Sequence, residues 1–312
     1  MNRSFASLFS LVCVASLLPA APADEPPLLK VVNLNQLNTA ADEDEPHLAT
    51  DGLQLFYTAT NDKRKADLFV SLRKTHSQSW PRGILVDGYF AEKADNCDTC
   101  LTLEGKYPQF LYFSTNKDPE KKEGKSENFD IYVAVRQDRK AAFTAPTPVH
   151  GICTERDERH PWLTADGKQL YFSRKTKEGW RVFVATRAAK GAGGYVDPKQ
   201  LDLPVNFHHA TLSRDGKTMY LQGPLEQNGD KTRWGIFRST RAAESWNKPE
   251  AVAGLNHPKA ERGDMSPSLG VVLDRNGRAT AELLYFTSDR PGGKGGLDLW
   301  VIPTWKLPRE TK

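Results

Sequence analysis

The chain has 312 residues, 38% of them hydrophobic and 10% aromatic, which is enough apolar material for one packed core. Its net charge of +4 comes from basic residues scattered along loops, such as Lys63-Arg64-Lys65 and Lys121-Lys122, so a nucleic-acid partner has no support. Beyond the N-terminus no run of ~18 apolar residues exists, which excludes a membrane-spanning helix.

Residues 1–23 read as a signal peptide. Arg3 supplies the positive end, Phe5 to Leu18 the apolar stretch, and Ala21-Pro22-Ala23 a small-residue cleavage site. Cys13 follows Val12, where a lipoprotein signal wants a small residue. The expectation is therefore an exported protein, periplasmic or secreted, that begins at Asp24 and is monomeric.

Leu28 to Leu34 is an apolar strand with no unit before it. From there a pattern of short strands recurs five times every ~40 to 60 residues, the spacing of β-propeller blades. The first strands are Leu55-Phe56-Tyr57, Leu111-Tyr112-Phe113, Leu170-Tyr171-Phe172, Met219-Tyr220-Leu221 and Leu284-Tyr285-Phe286. Second strands follow around Leu68-Phe69-Val70, Ile131-Tyr132-Val133, Val182-Phe183-Val184, Ile236-Phe237 and Leu299-Trp300-Val301. Each unit closes on an aromatic residue near a proline: Trp80, Phe143, Tyr195, Trp246 and Trp305. Turn glycines Gly52, Gly105, Gly167, Gly216 and Gly277 precede the aromatic strands, three of them in Asp-Gly turns where positive φ is cheap. Short runs before those turns, such as Pro46 to Ala49 and Pro161 to Thr164, are expected as the innermost strands.

These features predict an all-β fold: a single closed propeller of five four-stranded antiparallel blades within residues 24–312. The repeats span roughly 37–90, 91–153, 154–205, 206–256 and 257–308. No outer strand follows Trp305, so the strand at Leu28 to Leu34 is expected to complete the last blade and leave the ring without an open edge.

Asp264-Met265-Ser266-Pro267-Ser268-Leu269, then Leu284 to Gly293, then Asp298-Leu299-Trp300-Val301, resembles the WD40-like β-propeller repeat of TolB-type proteins. The first and third units match through Glu43 to Pro46 and Glu158 to Pro161; the second departs with Asn96-Cys97-Asp98-Thr99, and the fourth has Phe207-His208-His209-Ala210. The resemblance implies a propeller and, for function, a binding scaffold more than a catalyst. The functional expectation is accordingly a non-catalytic scaffold for a protein or a cell-envelope or polysaccharide ligand. The competing expectation is a five-bladed carbohydrate-active hydrolase.

Glu43, Glu158 and Asp264 hold the same place before the innermost strand of alternate repeats, so their carboxylates are expected to converge near one mouth of the channel. There they would hold a hard cation or divide acid and base roles in glycoside hydrolysis. The plainer expectation is structural, with Arg156, Arg159 and Arg262 as partners. His160, His208 and His209 share that region, but no H-x-x-x-H or H-E-x-x-H pattern points to a metal, and no metal or cofactor is expected. Trp162, on an innermost strand, is preferred over Trp180 as a ligand surface. The ligand-binding set is thus Glu43, Glu158, Arg159, His160, Trp162, His208, His209 and Asp264. No nucleophile elbow, P-loop or dinucleotide fingerprint is present.

Cys97, Cys100 and Cys153 remain after cleavage of the signal. In an oxidising compartment a disulfide among the three is expected, with the pair left open. A haem site would need His where Leu101 stands, a zinc ribbon would need a second C-x-x-C, and a thioredoxin-like site would need a following helix.

Overall fold

The computed structural model describes residues 27–60, 65–88, 90, 93–117 except 104–107, 125–189, 194–229, 231–274 and 278–308. The signal-peptide region, the links at 61–64 and 118–124, and the turn glycines Gly105 and Gly277 lie outside the described residues. Among the described residues no helix is long and apolar enough to cross a membrane.

Five antiparallel sheets form the five expected blades. Blade 1 runs Glu43–Leu48, Gln54–Thr60, Ala66–Leu72 and Ile84–Leu85 from axis to rim. Blade 2 runs Asn96–Leu103, Gln109–Lys117, Lys125–Arg136 and Thr147–Pro148. Blade 3 runs Glu158–Leu163, Gln169–Lys175, Trp180–Arg187 and Tyr195–Gln200. Blade 4 runs His208–Leu212, Thr218–Asn228 and Lys231–Ala242, its rim shared by Ser245–Trp246 and Glu250–Ala251. Blade 5 has Asp264–Leu273, Ala279–Ser288 and Asp298–Pro303, and its fourth strand is Val32–Asn33 from the N-terminal end. Val32 pairs with Val301 and Asn33 with Trp300, as ring closure requires.

A strand's side chains alternate between two faces, and here both faces are buried, each against a neighbouring blade. Phe56 packs with Leu101 and Phe113 of blade 2, whereas its neighbours Leu55 and Tyr57 pack with Tyr285 and Leu299 of blade 5. The same alternation gives one apolar cluster at each blade boundary, so no blade has a core of its own. Trp80, Phe143 and Tyr195 are buried at these boundaries and Trp246 is partly buried beside them. Trp305 departs from its expected role: it sits 66% exposed in the turn Thr304–Lys306. Its place is filled from elsewhere, because Leu29 and Val31 of the N-terminal segment and Leu307 cover that cluster.

Candidate functional site

The five innermost strands share one local distortion. Pairing with the second strand skips two residues between Asp44 and His47, Cys97 and Cys100, Arg159 and Trp162, His208 and Thr211, and Met265 and Ser268. Inside each bulge one non-glycine residue takes a positive φ: Glu45 at 56°, Asp98 at 57°, His160 at 55°, His209 at 52° and Ser266 at 51°. The next residue is proline in three blades, Pro46, Pro161 and Pro267, which a bulge tolerates because the position donates no ladder hydrogen bond. A left-handed non-glycine residue costs of order 1–3 kcal/mol, and such strain persists where a site over-determines it. Repeated around one axis, it brings four of these side chains, Glu45, Asp98, His160 and His209, to one axial cavity.

Those side chains meet across blade boundaries. The backbone N–H of Asp98 donates to Glu45 Oε2 at 2.8 Å and the Thr58 hydroxyl to the same oxygen at 2.6 Å. His160 Nε2 lies 3.4 Å from Asp98 Oδ1. The His160 ring stacks on His209 with centroids 4.3 Å apart and on His208 at 5.3 Å. Trp180 lies 5.5 Å from the His208 ring and Trp234 5.1 Å from it. Trp234 is brought there by Gly263, where a side-chain carbon would fall 2.0 Å from the Trp234 carbonyl oxygen, so blades 4 and 5 approach closely only because this residue is glycine. The Arg159 guanidinium lies 3.5 Å over the Phe129 ring.

Crowding of these groups moves their titration. Burial, then the charges of Asp98 and Asp44, hold the Glu45 carboxyl well above the usual range. Burial also raises Asp44, against the hydroxyls of Ser266 and Thr287. For Asp98 burial is outweighed by the hydrogen bond with Glu45 and the positive charge of Arg159, and it falls below the usual range. Burial pushes His160 and His209 well down and His208 down to about 4, and the Asp98 charge only partly opposes it at His208 and His209.

The sequence-derived carboxylates are placed otherwise. Glu43, Glu158 and Asp264 are buried and tied into their own blades. Glu43 accepts from the Thr39 backbone N–H at 2.7 Å and hydroxyl at 2.5 Å; Glu158 takes the same pair from Thr154 and a further bond from Arg174 Nε at 2.7 Å. Asp264 accepts from the His257 backbone N–H at 2.6 Å and pairs with buried Arg290. The partners are thus Arg174 from the following strand and Arg290 from the loop after the second strand of blade 5, and not the expected Arg156, Arg159 and Arg262; Arg262 pairs instead with Asp42 at 2.8 Å. Of the expected set, Arg159, His160, His208 and His209 do come together. Trp162 lines the channel beyond the bulge, packed edge-on to Tyr171 at 5.9 Å, while Trp180 stands among the histidines. Glu45, Asp98, Asp44 and Trp234 are the members the sequence reading missed. The acid-x-acid-Pro spelling of Glu43 to Pro46 carried the signal, since the second acid precedes the bulge proline.

The expected disulfide is also corrected: Cys97, Cys100 and Cys153 are free thiols. The bulge turns Cys97 toward Asp98, to which its thiol donates at 3.3 Å, while Cys100 packs into the apolar boundary of blades 2 and 3. Cys153 donates to the Ile131 carbonyl at 3.3 Å.

The fold is shared with solved glycoside hydrolases. A GH62 hydrolase in complex with xylotriose superposes with a TM-score of 0.59 at 11% identity over 90% of this chain and 98% of that one. A thermostable family-43 glycoside hydrolase gives 0.57 at 10% identity, covering 87% and 92%. An α-L-arabinofuranosidase from Lactobacillus brevis gives 0.53 at 16% identity, covering 88% and 92%. No protein-family model matches the chain, and no curated protein matches it. At these identities the likeness establishes the propeller. The expectation of a non-catalytic scaffold is corrected on this finding, because the neighbours in fold are glycoside hydrolases and favour the competing hydrolase reading.

Just beyond the ring, His47 is buried with Nε2 3.4 Å from the Leu101 carbonyl, and burial pushes its pKa down to about 4. A histidine whose folded pKa lies below its unfolded ~6.5 takes up its proton preferentially in the unfolded chain, so its stability is full above ~6.5 and lost as pH falls toward ~4. Between about pH 7 and about pH 4.5 the His47→Gln variant is expected to lose about 2.5 kcal/mol less than the parent. Urea unfolding of both proteins at the two pH values measures this; parallel losses would refute it.

Proposed function

We propose that the protein is an exported carbohydrate-active hydrolase that works at the axial mouth formed by the five bulges. The observation that carries the reading is the convergence of three carboxyl groups, Asp44, Glu45 and Asp98, at the axial bulges, with Trp180 and Trp234 packed against the neighbouring His208. Aromatic faces beside hydrogen-bonding side chains suit a sugar ring, which is apolar on its faces and polar at its edge. Asp44 faces Ser266 and Thr287 of blade 5, and Glu45 faces Asp98 of blade 2. A glycosidic linkage laid across the mouth would therefore have one carboxyl on either side.

In this mechanism Glu45, anchored through Oε2 by Thr58 and the Asp98 amide, gives a proton to the leaving glycosidic oxygen. Asp44 takes a proton from the water that attacks the anomeric carbon as the bond to that oxygen breaks. Arg159, fixed over Phe129, supplies positive charge beside the carboxyls. The resemblance to TolB-type repeats concerns the scaffold and agrees with this reading, since chemistry resides in the axial residues.

Reducing-sugar release from a panel of arabinan, arabinoxylan and xylo-oligosaccharides tests the proposal. Release by the parent is expected, with Glu45→Gln and Asp44→Asn each slowing turnover by ~100-fold or more. A folded parent protein that cleaves none of them, or a Glu45→Gln variant as fast as the parent, would overturn it.

A further inference from the structure

We propose that Asp98, His160 and His209 form a binding site on the propeller axis for one divalent transition metal of the zinc class. The three come from blades 2, 3 and 4, and their ligand atoms all lie within 4.8 Å of one another. One pair, His160 Nε2 and Asp98 Oδ1, is 3.4 Å apart without hydrogen-bond alignment. Bonds of 2.0–2.1 Å to a tetrahedral zinc place two ligand atoms about 3.3 Å apart, so this pair already spans one edge of such a site.

Two further observations point to a ligand. Asp98 is only 3% exposed, yet its Oδ1 has no hydrogen-bond partner, and Nδ1 of His209 is likewise buried and unpartnered. Buried polar atoms are almost always satisfied, because leaving one unpaired costs on the order of 1–3 kcal/mol on burial. The second is space: these residues line an axial cavity of about 20 Å³. That is room for one ion or water, which needs roughly 10–15 Å³.

The donor set selects the class of metal. Calcium and magnesium want oxygen ligands throughout, whereas two imidazoles with one carboxylate suit zinc, cobalt or nickel. Second contacts hold the ligands in place. The Cys97 thiol donates to Asp98 Oδ2 at 3.3 Å, and the His209 backbone N–H donates to Ser173 Oγ at 3.0 Å. Glu45 adjoins the site through Asp98, with which it and Cys97 form a second such group. This inference goes beyond the hydrolytic reading and stands without it.

The test uses protein without a polyhistidine tag, stripped by a chelator and titrated with Co²⁺ and then Zn²⁺ in the absence of any glycan. One metal per chain by elemental mass spectrometry is expected, with the visible bands of tetrahedral cobalt, bleached by zinc. The Asp98→Asn variant and the His160→Gln/His209→Gln double variant, checked for a parental circular dichroism spectrum, are expected to bind at least ~100-fold more weakly, since even outer contacts of metal ligands are worth 10- to 100-fold. Cys97→Ser, whose hydroxyl is also a donor, is expected to weaken binding by no more than ~10-fold and to keep the cobalt bands. On the parent alone, bound zinc is expected to protect His160 and His209 from diethyl pyrocarbonate, mapped by peptide mass spectrometry, which reads the site even if a variant fails to fold. A parent that takes up no metal, a double variant that binds equally well, histidines modified equally with and without zinc, or a thiolate-to-cobalt band abolished by Cys97→Ser would each overturn the assignment.

Discussion

Truncation of the chain to begin at Leu37 is expected to abolish cooperative unfolding. The removed segment supplies the rim strand of blade 5: Val32 and Asn33 pair with Val301 and Trp300, the Leu34 N–H donates to the Leu299 carbonyl at 2.9 Å, and the Leu29 N–H donates to the Gly254 carbonyl at 2.7 Å. It also covers two apolar clusters through Leu29, Val31 and Leu34. Each apolar side chain of this kind is worth about 1.5–3 kcal/mol when fully buried, and about half that serves for ones partly buried. With the ladder hydrogen bonds the loss comes to roughly 5 kcal/mol, the lower end of the whole stability of a typical domain. The Asp298–Pro303 strand would in addition become a free edge, open to pairing with other chains. Calorimetry of the truncated protein should show no single sharp transition. A melting curve that matches the full chain would show that the ring does not depend on this closure.

Breaking the Asp264–Arg290 pair is expected to have the next largest effect. Asp264 is fully buried and Arg290 is 5% exposed. Besides Asp264, the Arg290 guanidinium donates to the Leu255 carbonyl at 2.8 Å and the Ser288 hydroxyl at 3.2 Å, and it lies 4.8 Å over the Phe286 ring. Asp264→Ala leaves that cation buried without its counter-charge, and Arg290→Met leaves the carboxylate with little beyond the His257 amide; each should cost about 3–5 kcal/mol. The double variant Asp264→Ala/Arg290→Met leaves no unpaired charge. Its loss should therefore fall short of the sum of the two single losses by more than ~1 kcal/mol, the mark of residues in direct contact. Denaturant unfolding of the four proteins decides this, and strict additivity would mean that the pair is incidental.

These two predictions concern features of different legibility. The blade pattern, the inner strands and the ring closure were all readable along the chain, because the alternation of Leu55-Phe56-Tyr57 and its four counterparts and the Asp-Gly turns are local signals. A strand buried on both sides must find a neighbour on each, and five such units with one orphan strand leave few arrangements other than a closed ring. The recurrence of an acidic residue at Glu43, Glu158 and Asp264 was equally visible, but its meaning was not. Those carboxylates staple the incoming loop, and two of them, Glu158 and Asp264, pair with Arg174 and Arg290 from beyond the innermost strand.

What the sequence by itself determined is therefore the scaffold: strand periodicity and turn chemistry act within a few residues, so the five blades and their closure follow from the order of amino acids. Only the tertiary structure decided which side chains face the axis. In a strand a shift of one residue exchanges the two faces, and the bulge at Glu45, Asp98, His160, His209 and Ser266 makes that shift in every blade through a left-handed residue. The site consequently lies one to two residues beyond the recurring acid at Glu43, Glu158 and Asp264, with Glu45 and Asp98 where those carboxylates were expected, and Cys97 faces a carboxylate in place of another thiol. Backbone conformation at a bulge is set by pairing with a partner strand and by packing around the axis, and no local run of residues encodes it.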